Sequence, residues 1–275
     1  MHMFDSDRYD SLQDKVAIIT GASRGIGAEV TRQLAGHGAK LALAARSRED
    51  LESIADQCRQ RGGESIVVPT DVTDESACQA LVDDTVDAFD GIDILVNNAG
   101  MTMHARFDDI DDLSIFERIM QVNYLGTVYC THKALPHLKK SDGLIVGISS
   151  LTGKTGVPTR SAYSASKHAM QGFLDSIRVE LDEQGVDVSV ISPGFVDTDI
   201  RSHALGEDGS ERGDAPEDTG RSMMSVEECA RRIVRAIRKR KREEVMTFTG
   251  KIGQWAKLFA PSWVDAISKK KIGDD

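Results

Sequence analysis

Cysteine is scarce in this sequence. Cys58, Cys78, Cys130 and Cys229 are scattered and show no metal-ligand spacing. A disulfide framework and a zinc-stapled scaffold are thereby excluded, no metal is expected, and reduced thiols in a cytosolic setting are the plain reading. Proline is also sparse, with 6 residues against 24 glycines, and no internal repeat or Gly/Ser linker divides the chain. Missing too is a charged start followed by an apolar signal core, and no apolar run is long enough to cross a bilayer. The expectation is a soluble, cytoplasmic protein. Positive charge is not in excess either: the net charge is −10, which argues against general nucleic-acid binding.

What the chain does have is enough apolar material for one large core. Its 275 residues are 40% hydrophobic, an ordinary globular composition. Short apolar runs alternate with helical periodicity along most of its length. The expected strands are Lys15–Thr20, Lys40–Ala45, Ser65–Val68, Ile92–Val96, Leu144–Ile148 and Val186–Ile191, with a seventh at Glu244–Phe248. The expected helices include one after the first strand, one capped by Ser47, one from about Asp74 to Phe89, one long helix over Leu113–Leu138 and another over Ser161–Glu183. Continuous apolar strands separated by helices mark a parallel sheet buried on both faces. Right-handed crossovers turn that pattern into an α/β, doubly wound, dinucleotide-binding type of domain.

Three stretches carry chemistry. Thr20-Gly21-Ala22-Ser23-Arg24-Gly25-Ile26-Gly27 lies between the first strand and its helix. A tight turn, bare backbone and a helix N-terminus with unpaired N–H groups suit a pyrophosphate. Asp71-Val72 and Asn97-Asn98-Ala99-Gly100 follow the third and fourth strands, at the edge where such sheets bind ligands. Tyr163 and Lys167 are four residues apart on one helix and so share a face. A neighbouring ammonium is expected to lower the tyrosine pKa and make the phenol a usable proton donor or acceptor.

TGxxxGIG at 20–27, NNAG at 97–100, Asn123, Ser150, YxxxK at 163–167 and Pro193-Gly194 occur in the order and spacing of the short-chain dehydrogenases/reductases, which the chain resembles over roughly residues 14–240. The resemblance implies a single NAD(P)-binding Rossmann domain with about seven strands. It makes Tyr163 the general acid/base, with Lys167 lowering its pKa and binding the nicotinamide ribose. Ser150 would polarise a substrate carbonyl; it is chosen over Ser149 because it precedes the tyrosine by thirteen residues. Asn123 would organise a water relay. For the cofactor, the resemblance implies Gly21, Ser23, Gly25, Ile26 and Gly27 at the pyrophosphate and Asp71 and Val72 at the adenine. Asn98, Ala99 and Gly100 would lie near the ribose, with Pro193, Gly194, Val196 and Thr198 at the nicotinamide end. It also implies a homodimer or homotetramer built on the two long helices.

The end of the second strand decides which cofactor is expected. An acid there would bind both ribose hydroxyls of NAD; this chain has Ala45 and then Arg46, with Arg24 in the glycine turn. Two guanidinium forks suit a 2′-phosphate, so NADP(H) is expected, while Arg48 lies too far into the helix start to share the role.

The remaining segments are less explicit. Residues 1–13 are expected to be a flexible extension ahead of a domain over 14–249, and 199–224 a mobile substrate lid. Met223 and Met224 in it are candidate apolar contacts, with ordinary core packing as the equal alternative; Met101, Met103 and His104, after the NNAG turn, are further candidate pocket residues, with an exposed loop position the plainer reading of the histidine. The 250–275 extension is amphipathic, with both tryptophans. Between Arg231 and Lys271 stand thirteen Lys/Arg against three Asp/Glu. Docking of its apolar face on the domain or a second subunit is expected, with contact to an anionic membrane surface as the alternative. The function expected is an NADP(H)-dependent carbonyl/secondary-alcohol oxidoreductase acting on a small molecule. A non-catalytic dinucleotide-binding regulator and a membrane-surface reductase of lipid or steroid-like substrates are the alternatives.

Overall fold

The computed structural model describes residues 11–213 and 223–272, with the side chains of the last few excepted. Seven strands form one parallel sheet: β1 Val16–Thr20, β2 Lys40–Ala45, β3 Glu64–Pro69, β4 Ile94–Asn97, β5 Leu144–Ile148, β6 Asp187–Ser192 and β7 Glu243–Val245, in the order β3-β2-β1-β4-β5-β6-β7. The interleaved helices are α1 Gly25–Gly36, α2 Arg48–Gln60, α3 Glu75–Phe89, α4 Ser114–Met120, α5 Gly126–Lys140, α6 Ser161–Glu180 and α7 Val226–Arg238. Every residue of β1, β4 and β5 is buried, as continuous apolar strands in a doubly covered sheet require. The chain leaves β1 in one direction for β2 and β3, then returns to lay β4 against the other edge of β1. That reversal opens a crevice beyond the carboxyl ends of β1 and β4, the switch point of a Rossmann-type fold.

Two apolar layers flank the sheet. One joins Ile19, Leu41 and Val146 to α1, α2 and α7 through Val30, Leu51 and Ile233; the other joins Ile18, Leu95 and Ile145 to α3, α5 and α6 through Leu81, Ala134 and Leu174. Each fully buried aliphatic side chain of this kind contributes about 1.5–3 kcal/mol. The cap read from the sequence forms as expected, with Ser47 Oγ accepting the Asp50 amide; Asp74 caps α3 by accepting from Ser76 and Ala77, and Ser225 caps α7 by accepting from Glu228. Leu12, within the expected N-terminal extension, is buried in the first layer.

The structure departs from the sequence reading in two places. The expected single helix over 113–138 is interrupted by a π-helical turn, Gln121–Leu125, between α4 and α5. One extra residue in the turn re-aims the side chains, and its centre is the fully buried Asn123. The C-terminal extension forms two helices, α8 Phe248–Phe259 and α9 Pro261–Ile272, broken where proline cannot donate a helical N–H. α8 docks with its small side facing inward: a Cβ on Gly250 would lie 2.3 Å from Leu151 and 3.1 Å from Val245. Phe248, Ile252, Trp255, Leu258 and Phe259 are exposed in the single chain, so most of the aromatic face expected to dock is not covered by this domain. Part of the positive charge before this extension fastens the sheet edge. Arg232 bonds Glu244 and the Met246 carbonyl at 2.6 Å, Lys241 reaches Glu244 and Arg240 reaches Asp187, both at 2.7 Å.

Candidate active site

At the glycine turn, Gly21 and Gly25 adopt left-handed φ values of 64° and 55°, which a side chain would strain. Gly27 is required for a different reason: a Cβ there would lie 2.1 Å from the Gly21 carbonyl and 2.4 Å from Asn98 Nδ2. The Asn98 amide donates to the carbonyls of Thr20 (2.9 Å) and Gly21 (3.1 Å), and Thr20 Oγ1 accepts the Asn98 and Ala99 amides, both at 3.0 Å. Asn98 therefore fixes the turn as well as lining the cleft. Its neighbour Asn97 points into the protein and donates to Thr131 at 3.0 Å. No side chain caps the start of α1, so its first amides face outward, as an anion site requires.

One cavity of about 1840 Å³ runs from this turn across the sheet edge, and Gly21, Ser23, Arg24, Gly25, Ile26, Arg46, Asp71, Val72, Asn98, Ala99 and Gly100 all line it. So do Ser150, Tyr163, Lys167, Pro193, Gly194, Val196 and Thr198. It is larger than the roughly 300–1,000 Å³ of a pocket for one small ligand and has room for a dinucleotide beside a second molecule. Gly27 lies just behind the turn and Asn123 behind Gly100. The donor set fits a phosphorylated dinucleotide: backbone amides at the helix start, two guanidinium groups at the end of β2 and the turn, and the apolar Val72 after β3. Asp71 also orders its own loop, accepting from the Thr73 amide and hydroxyl at 2.9 and 2.8 Å.

Beyond β5, Ser150 accepts the Thr152 amide at 3.2 Å and stands beside the Tyr163 hydroxyl, whose pKa it lowers. Ser149 is buried and faces Gly153 instead, so of the two serines only Ser150 reaches the phenol. One turn along α6, the Lys167 ammonium is buried. It donates to the Ile148 carbonyl at 2.8 Å and lies 5.8 Å from the centre of the Tyr163 ring. Asn123 is saturated: Oδ1 accepts the Met101 amide (2.8 Å), and Nδ2 donates to the Met101 carbonyl and to Ser166 Oγ, both at 2.9 Å. Ser166 in turn donates to the Tyr163 carbonyl. Asn123 thus ties the NNAG loop to the helix that carries Tyr163 and Lys167.

The electrostatics correct one expectation. Burial raises the Tyr163 pKa, and the Ser150 hydrogen bond and the Arg160 charge only partly offset it. The same burial pushes Lys167 down to about 8. The phenol is therefore protonated at neutral pH, in the acid rather than the base state.

On the substrate side, Met103 is core: fully buried, its sulfur accepts the Ala162 amide and its backbone pairs with Leu205. Met224 pairs with Val196 and packs on the first apolar layer, while Met223 touches Arg201. Met101 and His104 do line the cavity, and Arg212 bonds both Nδ1 and the carbonyl of His104. Of the expected lid, residues 214–222 lie outside the described residues. The part at 199–213 forms a strap, hooked by Leu205 N to the Thr102 carbonyl and by His104 N to the Leu205 carbonyl. The sequence reading missed Leu151, Val157, Arg160 and Phe195, together with Ile252, Trp263 and Val264 from the C-terminal helices, all of which line the cavity. Nothing local marked them; only the folding of α8 and α9 over the cleft brings the last three there. Among the described residues no group of three acids, histidines or cysteines is placed to hold a metal, and no helix is long and apolar enough to cross a membrane.

Sheet order, glycine turn and the serine–tyrosine–lysine group define a class, and comparison with known proteins agrees. The short chain dehydrogenase family matches residues 15–208, and the chain belongs to that family of oxidoreductases. Its relatives include 11-beta-hydroxysteroid dehydrogenase-like 3 of Arabidopsis thaliana, 38% identical over 231 residues that cover 83% of this chain and 72% of that one. Dehydrogenase/reductase SDR family protein 7-like of Dictyostelium discoideum is 34% identical over 94% of this chain and 82% of its own. Against 11-beta-hydroxysteroid dehydrogenase-like 2 of Arabidopsis thaliana, at 40% identity, the match spans only 62% of the relative's length. Among solved structures, an alcohol dehydrogenase from the archaeon Thermococcus sibiricus complexed with 5-hydroxy-NADP superposes with a TM-score of 0.73 at 29% identity, over 84% of this chain and 94% of that one.

Proposed function

We propose that the chain interconverts a carbonyl and a secondary alcohol by hydride transfer with NADP(H). The observation that carries this reading is that Ser150, Tyr163 and the buried Lys167 ammonium, 5.8 Å from the centre of the phenol ring, line the same cavity as the glycine turn and Arg24 and Arg46. The nicotinamide cofactor, when bound, supplies the hydride. Ser150 holds the substrate oxygen and Tyr163 gives it a proton in reduction, taking it back in oxidation. Lys167 stabilises the phenolate left behind and binds the nicotinamide ribose, and Asn123 positions the helix that carries both. Gly21, Ser23, Gly25, Ile26 and Gly27 receive the pyrophosphate, Asp71 and Val72 the adenine. Asn98, Ala99 and Gly100 floor the ribose, and Pro193, Gly194, Val196 and Thr198 hold the nicotinamide end.

The NADP preference rests on Arg24 and Arg46 lining one end of the cavity with no acid at the end of β2. Arg48 turns instead toward Glu52 in its own helix. The solved alcohol dehydrogenase with 5-hydroxy-NADP supports the same choice. The substrate is bulky and apolar: Leu151, Val157, Phe195, Ile252, Trp263 and Val264 line the cavity, and several relatives are named hydroxysteroid dehydrogenases.

A panel of small and bulky ketones and alcohols, each with NADPH/NADP and NADH/NAD and followed by absorbance, tests all three statements. Turnover with NADP(H) on bulky ketones is expected. Arg46→Asp should cut the NADP-over-NAD ratio of kcat/KM by about a hundredfold or more, the loss of a charge-assisted clamp and the gain of a repelling carboxylate. An unchanged ratio would refute the cofactor assignment.

A further inference from the structure

The end of the cavity that holds Arg24 and Arg46 already contains an anion, and it belongs to the strap. Arg24 Nη1 lies 2.6 Å from His203 Nε2, and His203 Nδ1 lies 2.6 Å from Glu211 Oε2. A guanidinium can only donate, so Nε2 of His203 accepts from Arg24 and Nδ1 carries the proton that is donated to Glu211. The imidazole is thereby a neutral bridge that presents the Glu211 carboxylate to the arginines. His203 is the main cause that holds the carboxylate pKa below the usual range, against the opposing effect of burial, and the charges of Arg24 and Arg46 add smaller contributions. All four residues line the same cavity. His203 and Glu211 are eight residues apart on one strap, whose backbone returns on itself through Arg212 N to the Ala204 carbonyl and whose Leu205 is hooked to the loop after β4.

We propose that Glu211, presented by His203, is an internal competitor for the 2′-phosphate of NADP and so a determinant of how tightly, and how selectively, this chain takes phosphorylated cofactor. The inference rests on the reading of Arg24 and Arg46 as the 2′-phosphate clamp. Two anions cannot share two guanidinium groups without repulsion, so a 2′-phosphate enters only as Glu211 turns out. A cofactor lacking that phosphate makes no such demand. Glu211 therefore weakens NADP(H) binding and leaves NAD(H) binding alone, which narrows the selectivity that the two arginines would give by themselves. Because its side chain is 54% exposed, the carboxylate is a weak opponent that a dianion displaces. The strap stays anchored through Leu205 while its Glu211 corner gives way.

The test measures binding of adenosine 2′,5′-bisphosphate and of 5′-AMP by calorimetry, with no substrate and no turnover, to the full-length wild type and to Glu211→Gln, His203→Gln and Arg46→Asp. Glu211→Gln keeps the shape and removes the charge. It should tighten the bisphosphate by about three- to tenfold, the scale of one exposed like-charge contact, and leave 5′-AMP unchanged. His203→Gln releases Glu211 from its holder and should move the same ratio in the same direction by a smaller factor. If Arg46→Asp abolishes the wild-type preference for the bisphosphate while Glu211→Gln leaves the ratio where it was, or weakens the bisphosphate, the proposal fails and the clamp stands. If the wild type shows no preference for the bisphosphate and Arg46→Asp changes nothing, the clamp itself is wrong and the proposal falls with it.

Discussion

Lys167 is held in the core at a measurable cost, and the variant that reveals the cost is Lys167→Met. The side chain is 4% exposed and its pKa falls from 10.5 to about 8, with burial as the cause. For a base with a depressed folded-state pKa the sign is fixed. Below pH 8 both states hold the proton and the native state carries the full cost of the buried ammonium. Between about 8 and 10.5 the unfolded chain binds more protons, so stability rises with pH, and above 10.5 the cost is gone. At pH 7 the cost is roughly 3 kcal/mol, at about 1.4 kcal/mol per pKa step. Methionine fills similar space but cannot donate to the Ile148 carbonyl, which takes back about 1 kcal/mol. The variant should therefore be more stable than wild type by roughly 2 kcal/mol at pH 7, or roughly 5 °C in Tm for a domain of this size. Near pH 9.5 the advantage should be smaller by more than 1 kcal/mol, because the wild type has by then shed most of its burden. Thermal melts followed by circular dichroism at both pH values, without added nucleotide, decide the matter. A variant that melts at or below the wild type at pH 7, or an advantage that does not shrink with pH, would refute the reasoning. Turnover should be lost in either case, the exchange of stability for function expected where a site needs a buried charge.

Other outcomes follow from the same geometry. Tyr163→Phe removes one hydroxyl from a packed ring, and turnover should fall by about 10²–10⁴-fold while nucleotide affinity from fluorescence titration stays within about twofold. The pH profile of kcat/KM for ketone reduction should fall as pH rises through about 8, because Lys167 titrates there while the raised phenol keeps its proton; a profile flat to pH 10 would separate the ammonium from the chemistry. Gly27→Ala places a methyl 2.1 Å from the Gly21 carbonyl. The turn must then move, which should cost about 1–3 kcal/mol of stability and most of the nucleotide binding, both readable in a denaturant titration with and without NADP.

The strands and most of the helices were legible in the sequence because each buried strand is a short apolar run and each helix repeats its apolar residues at helical spacing. The Ser47 cap ahead of Asp50 announces itself locally. The chemical group was legible for a related reason. Tyr163 and Lys167 share one helix face by spacing alone, and Ser150 sits just past a strand whose end the pattern already marked. What could not be read was anything set by contact between distant segments. The π turn at Asn123 has no local signature, since it exists to aim one amide at Met101 and Ser166. Nor did the sequence disclose that α8 would dock by Gly250 and turn its aromatics outward.

The misread phenol follows the same rule. Spacing brings an ammonium to Tyr163, and charge proximity alone would lower the phenol's pKa. Yet the elements that bring the two together also close over them, and burial acts on both groups at once. It raises the acid and lowers the base, so the pair drifts toward two neutral groups rather than two ions. Only the fold fixes which effect is larger, because only the fold says how much water is left. Ser150 and the Ile148 carbonyl restore part of the polarity each group loses. On the proposed mechanism such a site is poised as an acid at neutral pH and would form the phenolate only once substrate and cofactor are in place, when stabilising that charge contributes to rate rather than to binding.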